Sequence, residues 1–513
     1  MIRTYRPTDP LLSSQWHLFD IGRLGFIQTD NLSGLERVWA DYRGAGVSVG
    51  IWDDGVQASH WDLAANYDAS KQVTTSGTLN NGQPVATGDN HGTAVAGLIG
   101  ADDNGLGGVG VAPDVKITGI KIFGGADDIN TQWSRYLLTL DNLGKFDVTN
   151  HSYGAAPDYR VYGDTAKFEA SLVTGRGGLG TINVKSAGNH NTDGIGTAVD
   201  ASRSTVTVAA LTSDGQVASY SAYGAHILVA APAGSVTTDR LGTAGYNTAT
   251  GGDYTTGFGG TSAAAPVTTG VVSLMLDANA GLGWRDVQAI LAYSAQGTGS
   301  LVTGNTANEN SAWRTNGADN WNGGGLHYSN DYGFGLINAH AAVRMAEVWT
   351  LMQGSAAVSA NETKAATGTL AVNRAITDNA TTSYSFTVAG KVELEHVGLT
   401  LTLTHSDLTD LRISLVSPDG TEIIVYNGTS GTATTSDYGL TYTFGLEGFR
   451  GELSNGVWTV RVSDVAAGDT GVLTSVAFTG YGASETVNDV YHYTDEVLAA
   501  LARSGGATRL TLV

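Results

Sequence analysis

The sequence predicts an α/β domain built on a mostly parallel sheet, followed by an all-β sandwich. Three observations carry this reading. Over the first 350 residues, short uninterrupted apolar runs alternate with helix-length segments, the pattern of strands buried on both faces. From about residue 371 the alternation changes to period two and helical runs stop. Between these parts, residues 351–370 are rich in Ala, Ser, Thr and Gly, the composition of a linker. A chain of 513 residues has room for several domains, and 42% hydrophobic residues supply their cores.

The elements follow in order. GVSVGIW (46–52) lies between GAG and DDG and reads as a buried strand ending in a turn. HGTAVAGLIGA (91–101) follows the polar loop ATGDN and reads as a helix despite its glycines. VKITGIKIF (115–123) is a strand, residues 131–143 a helix, and DVTNHSY (147–153) a strand running into a loop. A short helix over 166–174 precedes strands at 181–187, 204–210 and 226–234. A buried helix begins at GGTSAAAP (259–266), with Pro266 assigned to its first turn, where no amide is needed. WRDVQAILAYSA (284–295) is the next helix. In the second domain, 371–482, the runs YSFTVAG, VELEHVGLTLTLTH, LRISLVSPDGTEIIVY, GVWTVRVSD and GVLTSVAFTGYG alternate with turns, most simply as a sandwich. The tail, 483–513, holds a helix-like DEVLAALARSG and a strand-like RLTLV.

Composition excludes several function classes. Lys and Arg number 27 against 48 Asp and Glu, a formal charge of −21 that argues against broad nucleic-acid or anionic-membrane contact. Without cysteine there is no disulfide, thiolate nucleophile or thiolate metal site. No run of eighteen apolar residues exists to span a bilayer. P-loop, dinucleotide and HExxH patterns are missing as well.

Four residues carry the chemistry. Asp53 in IWDDGV, His91 in DNHGTAVAG, Asn189 in SAGNHN and Ser262 in GGTSAAAP each stand at a strand end or a helix start. There an α/β sheet gathers its active site. Singly, each has a plain role as turn former or helix cap. Together they supply a nucleophile, a base, a group to orient the base, and an oxyanion donor.

These blocks resemble the subtilisin-like serine peptidases, in which Asp, His and Ser follow in that chain order. The resemblance covers residues 9–350. DPLLSSQWHL, the DDG form of the Asp block and YGFGLINAHAAVRMAEVW are similar to the kexin and furin branch, and residues 360–482 to its P domain. The resemblance implies a serine endopeptidase acting on proteins or peptides through an acyl-enzyme. Ser262 would be the nucleophile, His91 the base and Asp53 the triad acid, with Asn189 and the Ser262 amide stabilising the oxyanion. Asp54 is left to a structural role or to contact with a basic substrate or partner.

The resemblance also implies bound Ca2+, held by Asp9, Asp62, the Asn104 side chain and the carbonyls of Ala101, Leu106 and Gly108. Asp158, Asp193 and Asp200 are candidates for a substrate pocket or a second calcium site. SYGAAPDYR and NHNTDGIGTAVDAS depart from the acid spacing of basic-specific relatives. The expected preference for Arg or Lys before the cut is therefore modest, and a broad-specificity peptidase is the alternative. A serine esterase and a non-catalytic scaffold are the rival classes. A pro-segment or a separate chaperone is expected as a folding partner. The N-terminal stretch lacks a secretory signal's apolar core, and the tail resembles segments that precede calcium-binding repeats in type I-secreted bacterial proteins. The expectation is a secreted protein exported by a C-terminal signal.

Overall fold

The computed structural model describes residues 4–21, 34–73, 80–124, 128–318, 324–428 and 439–484. The tail's expected helix, strand and export signal lie outside the described residues. Strands β1 (Ser48–Asp53), β2 (Lys116–Lys121), β3 (Val148–His151), β4 (Ile182–Ser186), β5 (Val206–Leu211) and β6 (Val229–Pro232) form one six-stranded sheet, ordered β2-β1-β3-β4-β5-β6. Every pairing is parallel. Such strands need cover on both faces, which explains their continuous apolar runs.

The cover comes from helices. After α1 (Trp16–Asp20) and α2 (Gly34–Trp39), α3 (His91–Gly100) leads from the β1 side of the sheet. Helices α4 (Ile129–Leu140) and α5 (Gly163–Thr174) lie over one face, where Tyr136, Leu140 and Phe168 pack on Trp52, Ile120 and Phe146. The opposite face is covered by α6 (Thr261–Ala278), which crosses β3 to β6 and packs on α3. A ribbon of β7 (Ser235–Thr238) and β8 (Tyr254–Phe258) precedes α6. Helices α7 (Trp284–Ser294), α8 (Ser300–Thr303) and α9 (Ala339–Gln353), with the short pair β9 (Arg314–Thr315) and β10 (His327–Tyr328), complete this half.

The second half is the expected sandwich. Its strands are β11 (Thr363–Ile376), β12 (Thr381–Val388), β13 (Val392–His405), β14 (Leu411–Val416), β15 (Glu422–Asn427), β16 (Gly439–Leu446), β17 (Gly456–Asp464) and β18 (Gly471–Ser484). They form two antiparallel four-stranded sheets, ordered β11-β18-β13-β16 and β12-β17-β14-β15. The inward alternation shows in β13, where Val397, Leu399, Leu401 and Leu403 are all buried.

Several details differ from the sequence reading: α5 starts at Gly163 rather than 166, β6 spans only Val229–Pro232 of the expected 226–234, and three further points bear on the fold. The stretch taken as linker, 351–370, is shorter in the structure: α9 runs to Gln353 and β11 begins at Thr363. The small residues of TKAATGTLAV hide a strand that forms an edge of its sheet and is mostly exposed. Helix α4 starts two residues before the expected 131, because Asp128 caps it by accepting from Asn130 N and Thr131 N at 2.9 and 3.0 Å. Pro266 is not in the first turn of its helix. Helix α6 starts at Thr261, which puts the proline in the second turn.

Candidate active site

Asp53 ends β1, His91 opens α3 and Ser262 is the second residue of α6. Strand β1 lies between β2 and β3, so the chain order reverses there, and a crevice forms at the carboxyl ends of the strands. Asp53 is buried at its base. Both of its carboxylate oxygens lie 3.0 Å from His91 Nδ1. A carboxylate only accepts, so Nδ1 carries the proton and Nε2 is left as the free base. The imidazole is 29% exposed against 4% for the carboxylate, so the ring stays open to solvent while its partner does not. Burial pulls the His91 pKa down. The charge and hydrogen bond of Asp53, with Asp54 adding, more than offset this and hold it above the usual histidine value.

Asp54 has a structural task. Its Oδ2 accepts from His91 N at 3.0 Å and its Oδ1 from Gly92 N at 2.7 Å. It thus caps α3 from the turn that follows β1, while the residue at the cap position, Asn90, makes no capping bond. Burial, with the Asp53 charge beside it, pushes Asp54 up to about 7 against the pull of these amides. Gly92 permits the close approach: a Cβ there would stand 2.5 Å from Gly55 O and 2.9 Å from Asp53 Cβ.

Ser262 is fixed through a reciprocal pair. Its Oγ donates to the Ser152 carbonyl at 3.1 Å, and Ser152 Oγ donates to the Ser262 carbonyl at 3.0 Å. Pro266 explains the second bond. Lacking an amide hydrogen, it cannot bond the carbonyl four residues back, which is that of Ser262. Among the described residues no hydrogen bond joins Ser262 Oγ to His91. Such bonds are often made only in the substrate complex.

Asn189 stands exposed beside this helix start. Its Oδ1 accepts from Thr261 N at 2.8 Å and Thr261 Oγ1 at 2.9 Å, which turns the Nδ2 donor outward. Gly260 adopts φ +76°, and a Cβ on it would come 2.9 Å from Nδ2. The Ser262 amide, in the first turn, has no intrahelical acceptor. The two donors and the hydroxyl therefore gather at one helix end.

Lys121 and Ser152 were missed by the sequence reading. Lys121 ends β2 fully buried, and its Nζ donates to Asp54 O, Phe123 O and Asp89 Oδ2 at 2.6, 2.7 and 2.8 Å. It anchors the backbone of the Asp53–Asp54 turn from below. The signal was a lone lysine inside the apolar run ITGIKIF. Ser152 follows β3 in NHSYG, and nothing local marked it.

The three further acids separate. Asp158 lies at the surface and accepts from Arg160 N at 3.1 Å and from Tyr162 Oη. Asp193 is buried and accepts from Ile195 N at 3.1 Å and, across the domain boundary, from Asn427 N at 3.3 Å. Burial raises it to about 7. Asp200 is buried in an ion pair with Lys185 Nζ at 3.1 Å, and burial raises it to about 6 against the pull of that lysine.

The expected calcium residues do converge in part. Asp62 is buried and accepts from Asn104 Nδ2, Tyr254 Oη and Gly108 N at 3.0, 2.9 and 3.3 Å. Asp9 is 4% exposed, and both its carboxylate oxygens are buried without a donor. Burial pushes Asp9 up to about 6, with Asp103 adding, and Asp62 up to about 7, with Asp9 adding. Asn104 Oδ1 accepts from Leu106 N at 2.9 Å, and the Ala101 carbonyl accepts from Gly110 N at 3.0 Å. Among the described residues no group of three or more His, Asp or Glu side chains is set for a metal. The expected set has only two acids, its other ligands being an amide oxygen and carbonyls. A buried carboxylate with no donor suits a hard cation.

An Asp–His pair and a helix-start serine at the carboxyl edge of a parallel sheet define the class of serine hydrolases. Residues 44–335 match the profile of the Subtilase family, and residues 394–479 that of the Proprotein convertase P-domain. The chain is 30% identical to the Aeromonas extracellular serine protease of Aeromonas sobria, over 90% of this chain and 85% of that one. It is 31% identical to Furin-1 of Xenopus laevis, over 81% of this chain but 51% of the furin, so it spans about half the furin's length. The crystal structure of the Aeromonas sobria serine protease with its chaperone shares the fold, with a TM-score of 0.76 at 24% identity over 94% of this chain and 96% of that one. The chain belongs to the subtilase family: it is a subtilisin-like serine endopeptidase carrying a P domain. No helix among the described residues is long and apolar enough to cross a membrane.

Proposed function

We propose that the enzyme hydrolyses peptide bonds of protein substrates through Ser262, His91 and Asp53, in a calcium-dependent manner. The grip of buried Asp53 on His91 Nδ1, at the start of a helix that packs against the Ser262 helix, supports the reading. Ser262 Oγ attacks the carbonyl carbon as His91 Nε2 takes its proton. The C–O bond forms, and the carbonyl π electrons move onto oxygen. Asn189 Nδ2 and the Ser262 amide meet that oxyanion. Collapse breaks the C–N bond, and His91 returns the proton to the leaving amine. Water, activated by the same imidazole, then releases the acyl group. Removing one side-chain oxyanion donor costs about 10²–10³ in kcat, the loss known for subtilisin itself.

Calcium belongs to stability in this reading. Asp9 and Asp62 would hold it with Asn104 and the carbonyls of Ala101, Leu106 and Gly108. A bound divalent ion neutralises carboxylates that burial otherwise disfavours. Their raised pKa values set the sign. In the ion-free protein their ionisation works against folding, progressively as pH climbs from about 4 to about 7. The melting-temperature gap between calcium-loaded and chelated protein should therefore widen between pH 5 and pH 8. An unchanged melting temperature on chelation counts against this ligand set.

A strong preference for Arg or Lys before the cut would need a carboxylate free to receive it. Asp193 and Asp200 are buried and engaged, and Asp158 bonds its own loop. We therefore favour the broad-specificity alternative over the basic preference. The extracellular relative supports a secreted enzyme, and the chaperone in that relative's complex supports a separate folding partner here. A covalent serine probe tests the central reading. Labelling of the wild type in calcium, lost in Ser262→Ala and accompanied by cleavage of a protein substrate, is the expected result. No labelling and no cleavage would sink it, whereas labelling with ester but no amide hydrolysis would point to an esterase.

A further inference from the structure

We propose that Lys185, paired with Asp200, determines which residue is accepted immediately before the cut, and that it excludes Arg and Lys there. The inference rests on the peptidase reading above. Strands β3 and β4 are neighbours, with His151 opposite Lys185. Beyond them the chain continues as Ser152–Gly154 and Ser186–Asn189, tied to the start of the Ser262 helix through Ser152 O and Asn189 Oδ1, and in this proposal the two segments are the walls of the crevice. The first wall accepts the Ser262 hydroxyl on the Ser152 carbonyl, and the second ends in the oxyanion donor. An acyl group with its carbon at Ser262 Oγ and its oxygen at Asn189 Nδ2 places its last side chain between these walls.

Lys185 lies at their base. Its side chain is 2% exposed, and Nζ donates to the Tyr153 carbonyl. The same ammonium sits 4.9 Å from the Tyr153 ring centroid and 3.1 Å from Asp200 Oδ1. A Cβ on Gly154 would stand 3.8 Å from Nζ, so no side chain at that wall position screens the charge. Asp164, the other acid acting on Asp200, is buried and accepts from Tyr136 Oη at 3.2 Å. An arriving guanidinium or ammonium would lose its water beside a carboxylate already neutralised by a fixed cation. An apolar side chain loses no such hydration. The internal lysine thus holds the place a basic substrate side chain would take.

The test is a set of peptides differing only in the residue before the cut, assayed in calcium, with kcat/KM ratios as the readout. The wild type should favour Leu or Phe over Arg and Lys by about tenfold or more. Lys185→Met leaves Asp200 unpaired, and the Arg-to-Leu ratio should rise by about tenfold. Adding Asp200→Asn should return the ratio toward the wild type, and Lys185→Arg should leave it unchanged. A wild type that prefers Arg or Lys overturns the proposal, as does a folded, active Lys185→Met enzyme with the wild-type ratio. Should Lys185→Met not fold, Asp200→Asn gives the reciprocal test. Its unpaired ammonium should raise cleavage after Glu relative to Leu, and no rise overturns the proposal. Failure of the peptidase reading looks different: the wild type then cleaves no peptide and takes no serine probe.

Discussion

Asp53 opposes the effect of burial on His91. Desolvation disfavours the imidazolium, yet the carboxylate at 3.0 Å from Nδ1 keeps the pKa above the ordinary value. Removing the charge should reverse that sign. Asp53→Asn leaves burial as the dominant influence, so the acid limb of kcat/KM should move below the ordinary histidine range of about 6.5. The asparagine amide also donates toward Nδ1 and favours the wrong tautomer, so kcat should fall by about 10⁴. A pH–rate profile of both enzymes reads both effects, and an unmoved acid limb would remove Asp53 from the role. The linked stability has the same origin. The interaction is fully present below the unfolded histidine pKa and is lost as pH rises through the higher folded one. Asp53, His91 and Ser262 were legible as candidates because each sits in a compact local motif. Lys121 and Ser152 were not, since each acts on a residue distant in the chain: 67 positions separate Lys121 from Asp54 and 110 separate Ser152 from Ser262.

Helix α6 is built around a missing bond. Pro266 lies inside it and leaves the Ser262 carbonyl without its amide, and Ser152 Oγ fills the vacancy. One side chain thereby ties the Ser262 backbone to the end of β3. Ser152→Ala should leave that carbonyl unpartnered in a partly buried place, at a cost of about 1 kcal/mol. It should also lower kcat with little change in KM, because the hydroxyl's mount is loosened rather than the substrate site. Pro266→Ala added to it restores an amide to the carbonyl, so the melting temperature should recover while kcat recovers less. Thermal melts and steady-state kinetics on the three variants separate the two effects, and a double variant no more stable than Ser152→Ala would refute the account. At this scale the sequence revealed helices by their apolar runs but placed their ends less well. The start of α6 was set by Gly260 and Thr261 binding Tyr220 and Asn189, contacts that no local pattern announces. Strand β11 escaped because alternating small residues carry little hydrophobic contrast.

The two domains are joined through the loops that flank the site, so the sandwich acts as a buttress. Tyr442 Oη donates to the Ile195 carbonyl at 2.8 Å, Glu447 N to the Ala225 carbonyl at 2.9 Å and Asn427 N to Asp193 at 3.3 Å. Tyr159, just past the Ser152–Gly154 wall, packs its ring on Tyr426 and Tyr442. Further back, Arg285 on α7 grips Glu395 on β13 through Nε and Nη2, both at 2.6 Å. Its Nη1 donates to Val358 O at 3.2 Å and Asn361 Oδ1 at 3.1 Å, in the segment between the domains. The guanidinium side chain is 1% exposed and its partner 21%, so the pair is largely desolvated and two-pronged. Arg285→Ala should destabilise the protein by about 3 kcal/mol, most of it from a carboxylate left without its cation. Removing both partners should cost less than the sum of the single changes, by at least about 1.5 kcal/mol. Because the contacts continue to the loops around the crevice, one cooperative transition should move as a whole, and activity should be lost with it. Calorimetry decides this: two transitions, only one of them shifted by Arg285→Ala, would mean that the sandwich folds apart from the catalytic domain and does not hold its loops in place.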